Sequence, residues 1–190
     1  MKRNYWLRPA LILCLISTLS VSCSVFQPAF KAEAVKPLAA APEISLKDQN
    51  GNLFQLSGLQ GKVVLLFFGF TNCVTECPLT LAHIKLALGQ LGADAQNVRV
   101  VLVSTDPVRD TPMAMHDFLG KFDPSYIGIP GTADELQKVW NKYGIVVLDG
   151  GETHSSYTYV VDRSGNLRLR LARDADPAAM ASDIKLLLAE

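Results

Sequence analysis

The stretch Val63–Leu81, VVLLFFGFTNCVTECPLTL, decides how this 190-residue chain folds. Its first six residues are apolar without a break and favour β-structure. Such a run predicts a strand covered on both faces, because a half-exposed strand would alternate apolar with polar residues. Gly69-Phe70-Thr71-Asn72 then interrupts it, and two cysteines follow four positions apart, Cys73 and Cys77, with Pro78 directly behind. From Pro78 to Leu91 the apolar residues predict a mostly buried helix. The stretch reads as strand, turn and helix, with a thiol pair at the turn.

The segments on either side repeat that alternation. Val98–Ser104 (VRVVLVS) is a second core strand of β-branched residues. Thr111 is placed to cap a helix that opens on Pro112 and runs through Phe118-Leu119. Tyr126–Ile129 is a short strand, and Thr132 with Glu135 makes a capping-box signature ahead of a helix over Ala133–Tyr143. Ser156–Asp162 and Leu167–Leu171 flank a turn at Arg163-Ser164-Gly165-Asn166 and form a hairpin; Asp176 caps a last helix, Pro177–Leu188. Before the central stretch, Asn50-Gly51 separates two short alternating segments between Ile44 and Leu56, an N-terminal hairpin. Strands alternating with helices predict an α/β domain over residues 42–190, with a central mixed sheet flanked by helices.

The first 41 residues are of another kind. Lys2, Arg3 and Arg8 precede an apolar segment, Ala10–Val21, that falls short of the roughly 20 residues a membrane span needs. This is the pattern of an export signal over residues 1–22. Ser20-Val21-Ser22-Cys23 resembles the bacterial lipoprotein processing site, in which the cysteine becomes the lipidated first residue, although Ser20 stands where that site has Leu, Ile or Val. An uncleaved or differently cleaved anchor is the alternative. Residues 23–41, rich in Ala, Pro and Lys, read as a flexible tether to the membrane. The domain then lies outside the cytoplasm, in the periplasm or beyond the cytoplasmic membrane. With 18 basic and 18 acidic residues and no run of like charge, nothing points to nucleic acid as a partner.

A cysteine pair just past the first core strand, at the opening of a helix, is where thioredoxin-like folds place their chemistry. Three segments make the likeness more specific: Gly69-Phe70-Thr71-Asn72-Cys73-Val74-Thr75-Glu76-Cys77-Pro78, Ser104-Thr105-Asp106-Pro107-Val108-Arg109-Asp110-Thr111-Pro112, and His154 followed by Ser155-Ser156-Tyr157-Thr158-Tyr159-Val160-Val161-Asp162. The chain from about Pro42 onward resembles the Sco/SenC family, copper-binding assembly factors of cytochrome c oxidase. The resemblance implies a thioredoxin-like fold and a copper site made by Cys73, Cys77 and His154. It implies as partner the copper-bearing subunit of cytochrome c oxidase or another exported cuproprotein, with a thioredoxin-like reductant as a second partner. One departure is Val74, where the family commonly has proline.

The residue chemistry is compatible with that trio and leaves alternatives open. Thiols four apart on a helix lie on one face, near enough to hold one ion or to close a disulfide. Soft thiolates favour Cu(I), and an added imidazole extends the site to Cu(II). A copper chaperone, a thiol–disulfide oxidoreductase acting on the acceptor's cysteines, and a peroxidase of the thioredoxin superfamily all fit the pair. The three-residue spacer, and a histidine where general oxidoreductases have a proline, favour the chaperone. Asp106 and Asp110 read as turn and capping residues that shape the loop near the cysteines. His83 and His116 read as surface or packing histidines, and Trp140 and Tyr143 as core.

Overall fold

The computed structural model describes residues 29–148, 153–155 and 157–190, with Thr153 and His154 described by their backbone alone. In chain order the elements are β1 (Glu33–Ala40), β2 (Ser45–Lys47), β3 (Leu53–Gln55), β4 (Val63–Gly69), α1 (Glu76–Leu91), β5 (Val98–Ser104), α2 (Pro112–Gly120), β6 (Ile127–Ile129), α3 (Ala133–Tyr143), β7 (Val147–Leu148), β8 (Thr153–His154), β9 (Tyr157–Val161), β10 (Asn166–Ala172) and α4 (Pro177–Leu188). Six strands form one mixed sheet in the order β1-β10-β9-β4-β5-β6. β4 pairs parallel with β5 and antiparallel with β9, so the apolar run lies between two neighbours. β2 and β3 form the separate N-terminal hairpin, with Leu46 opposite Phe54.

Every residue of β4 is buried, as its lack of alternation requires. Val63, Leu65 and Phe67 enter a core shared with α1, α2 and α4, while Val64, Leu66 and Phe68 enter a second core under α3 and the hairpin. Successive side chains of a strand point to opposite faces, and here each face has its own cover. Leu81, Ile84 and Ala87 anchor α1 on the first side; Leu136, Val139, Trp140 and Tyr143 anchor α3 on the second. The capping residues act as expected. Thr111, Thr132 and Asp176 accept from the N–H three residues on, and Glu135 returns a bond to the Thr132 N–H at 2.9 Å.

Two expectations need correction. Residues 33–40, expected to lie in a flexible tether, form the edge strand β1, antiparallel to β10. Its side chains are exposed except Val35, and the register shifts between Ala34 and Ala39, around Pro37. An edge strand without a buried face carries no alternation, and proline is tolerated at an edge, so composition alone gave no strand signal. The second correction concerns α1, which begins at Glu76 rather than Pro78, with Thr75 as its N-cap. Residues 1–28, including the export signal and Cys23, lie outside the described residues.

Candidate metal centre at the start of helix α1

β4 ends at Gly69, and the parallel pairing with β5 continues one step further through the Thr105 N–H donating to the Gly69 carbonyl at 2.9 Å. The chain must then reverse into α1 within six residues. It does so through a turn in which the Cys73 N–H donates to the Phe70 carbonyl at 3.4 Å. Cys73 therefore stands before the helix and Cys77 stands at its second position. The two are not on one helical face, contrary to the sequence argument, yet they meet. The Cys77 N–H donates to the Cys73 sulfur at 3.3 Å. Thr75 makes no side-chain cap bond, so the Cys73 sulfur serves one of the N–H groups that a helix start leaves unpaired.

The two thiols, both free, sit in different surroundings. Cys77 is fully buried, and its sulfur lies close against Gly69 in the core that also holds Phe67. A Cβ at Gly69 would come within 2.9 Å of that sulfur and 2.8 Å of the ring, so a bare glycine is needed there. Burial pushes the Cys77 thiol far up; the Cys73 sulfur and the charge of Asp110 add to this against an opposing backbone bond from Phe70. Cys73 is half-buried. Burial pushes it up too, but bonds from the Cys77 backbone and thiol and from the Thr75 and Glu76 backbone outweigh this, and its thiol is lowered. Cys73 lines an open depression of about 470 Å³ between Phe70, Asn72 and Arg109, with Val74 fully in solvent at its margin. A depression of about 450 Å³ beside Lys85, Arg99 and Tyr126 includes the opposite end of β5 and contains no thiol.

The loop after β5 shapes this turn, as expected of Asp106 and Asp110. Asp106 accepts from the N–H groups of Val108 and Arg109 and pairs with the Arg109 guanidinium, which also lies 5.8 Å from the Phe70 ring centroid. Asp110 is buried and accepts from the N–H and hydroxyl of Thr71 and from the Ser104 hydroxyl. Burial pushes its carboxyl up against those three bonds, with Asp106 adding to the rise. Thr71, Ser104 and Gly69 were not singled out from sequence. The only available signal was that Gly69 and Thr71 lie inside the cysteine motif and Ser104 inside the segment that carries both aspartates.

His154 lies in β8, its backbone paired with Val147 of β7. Phe67 of β4 is level with Thr158 of β9, so the segment entering β9 arrives at the same end of the sheet as Cys73. The His154 side chain lies outside the described residues. Among the described residues no group of three or more His, Cys, Asp and Glu side chains is placed to hold a metal ion. His116 is exposed beside Asp117, and His83 is half-buried on α1. Trp140 is core, its indole N–H donating to the Ser104 carbonyl at 2.9 Å.

Comparison with known proteins agrees with this geometry. Residues 33–189 match the family model described as SCO1/SenC. A protein of Stutzerimonas stutzeri is 37% identical over 131 residues, covering 68% of this chain and 63% of its own length. SCO2-like protein RC0895 of Rickettsia conorii is 31% identical over 147 residues, covering 73% of this chain and 72% of that one. Bradyrhizobium japonicum ScoI, solved with copper bound, superposes with a TM-score of 0.68 at 34% identity, over 79% of this chain and all of that one. A thioredoxin-like sheet with a free thiol pair at the first helix, matched along nearly the whole described chain, places this protein in the SCO1/SenC family.

Proposed function

We propose that this protein is a copper chaperone that holds the metal through Cys73, Cys77 and His154 and delivers it to the dinuclear copper site of cytochrome c oxidase or another exported cuproprotein. The observation that carries this reading is the contact of the two free thiols at the start of α1, one buried and one open to a partner. Two thiolates suit Cu(I), and an imidazole ligand lets the same site hold Cu(II). The copper-bound ScoI relative supports copper as the cargo. Transfer proceeds by ligand exchange, acceptor thiols displacing Cys73 and Cys77 one at a time. An export signal over residues 1–22 and a lipid on Cys23 would hold the domain at the outer side of the cytoplasmic membrane. Among the described residues no helix is long and apolar enough to cross a membrane.

Anaerobic titration of the reduced protein tests the reading. One equivalent of Cu(I) binds, and Cu(II) binds with thiolate-to-copper charge-transfer absorption. His154→Ala weakens Cu(II) more than Cu(I), because two thiolates hold Cu(I) without the imidazole. Absence of stoichiometric binding by the wild-type protein ends the copper reading. Mass spectrometry of membrane fractions checks the anchor, where an unmodified Cys23 excludes it.

A second reading, a thiol–disulfide oxidoreductase that reduces the acceptor's cysteines, draws on the unequal thiols. An accessible sulfur with a lowered pKa beside a buried one with a raised pKa suits attack by the first and resolution by the second. Its mark is turnover of a disulfide substrate by metal-free protein, lost on replacing either cysteine with serine.

A further inference from the structure

Asp110 is 3% exposed, and its bonds converge on the turn that carries Cys73. Oδ1 accepts from the Thr71 N–H at 2.9 Å and from the Thr71 hydroxyl at 2.6 Å, and Oδ2 accepts from the Ser104 hydroxyl at 2.6 Å. Ser104 is the last residue of β5, and Thr71 stands two residues before Cys73. The far side of the carboxylate is fixed as well. The Asp110 N–H donates to the Asp106 carbonyl at 3.0 Å, and the Asp106 N–H donates to the Ser104 hydroxyl oxygen at 2.9 Å. Asp110 thus ties the turn to a rigid strand end, beside the Arg109 guanidinium that lies over the Phe70 ring. The thiols meet only if that turn holds its shape, because Cys73 is outside α1 and no helical geometry ties it to Cys77.

We propose that Asp110 is a positioning residue of the thiol pair, acting through Thr71 to hold the Cys73 sulfur over the Cys77 N–H. This rests on the reading of Cys73 and Cys77 as one site, and it adds a residue that touches neither cargo nor partner. Two thiols held together have a high effective concentration toward each other, which favours their disulfide and a two-thiolate metal site alike. Releasing the turn lowers that concentration. In exchange with glutathione, the Cys73–Cys77 bond breaks and the sulfur–sulfur bond of glutathione disulfide forms. The two protons of the glutathione thiols pass to Cys73 and Cys77. A looser pair shifts this equilibrium toward the dithiol.

The test uses metal-free protein equilibrated with glutathione redox buffers, the oxidised fraction being read by mass spectrometry after alkylation. Asp110→Ala raises the equilibrium constant for reduction about tenfold, equivalent to about 30 mV for this two-electron couple. Asp110→Asn keeps an Oδ1 that accepts both Thr71 donors, and it stays within about twofold of wild type. If the alanine variant does not fold, Thr71→Val carries the test and shifts in the same direction by several-fold. A folded Asp110→Ala, or in its place Thr71→Val, with the wild-type equilibrium overturns the proposal. So does an asparagine variant as altered as alanine, which would make charge, not position, the cause. Loss of the copper reading would leave this measurement standing, since no metal enters it.

Discussion

Cys73 and Cys77 differ in what surrounds them more than in where they stand in sequence. Cys77 is buried against Gly69, and Cys73 opens onto the depression beside Arg109. The reactive species is the thiolate, so a lowered thiol at an accessible position and a raised one in the core give opposite reactivities. The sign for Cys73 is that its folded pKa lies below the usual thiol value, so its thiolate fraction rises at a lower pH than that of a free cysteine. Iodoacetamide at neutral pH is therefore expected to label Cys73 alone in the native reduced protein, with Cys77 labelled only after denaturation. Peptide mass spectrometry reads this directly, and equal native labelling of both would refute the assigned asymmetry.

At the scale of elements, the site depends on two loops and is supported by a hairpin. Asp162 closes the β9–β10 turn, accepting from the N–H groups of Ser164 and Asn166 at 3.0 and 2.8 Å and from the Arg168 guanidinium at 3.0 Å. Burial pushes this carboxyl up, but the backbone bond from Asn166, the Arg168 side chain, the Asn166 side chain and the Ser164 N–H outweigh it, and its pKa is lowered. A depressed folded-state pKa means the stabilisation is complete above the unfolded value of about 4 and is lost as pH falls through the folded one. Asp162→Asn is expected to cost about 1.5–3 kcal/mol at neutral pH, the range for hydrogen bonds to a charged group. The gap between the variant's melting curve and that of wild type should narrow below about pH 4. An equal gap at every pH would assign the effect to shape and not to charge. The thiol-bearing turn and the β9–β10 hairpin share the central strand β4, so loss of the hairpin would also disturb the strand that leads to Cys73.

Across the whole molecule, β1 joins the N-terminal segment to the rest of the domain. Asp183, 1% exposed on α4, accepts from the N–H groups of Lys31 and Ala32 at 2.9 and 2.8 Å, just before β1 begins. Glu33 pairs with Arg170 at 2.6 Å across the β1–β10 ladder. Apart from Val35 the strand is solvent-exposed, so its attachment depends on these polar contacts and the ladder. Asp183→Ala leaves two backbone donors without their acceptor, at an expected cost of about 1–3 kcal/mol. Residues 33–40 should lose hydrogen-exchange protection before the β4–β5 core does. If β1 and β4 lose protection together, the strand is part of the core and not an attached edge.

The sequence by itself determined the elements whose signals are local. The unbroken apolar run gave β4, cap residues placed α2, α3 and α4, Asn50-Gly51 gave the first hairpin, and the two cysteines with their motif neighbours gave the family. These are short-range properties, fixed by periodicity, backbone preference and residue identity. The edge strand β1 was not legible, because its partner lies more than 120 residues away and its side chains bury almost nothing. Nor was the difference between the two thiols, which comes first from the burial of Cys77 against the end of β4, with Asp110 adding its charge from the loop after β5, and from the backbone N–H groups that the turn aims at the Cys73 sulfur. Only the tertiary structure brings those groups to the sulfurs, since pKa and accessibility follow from what the fold packs around a side chain and which N–H groups it aims there, whether these lie near or far along the chain.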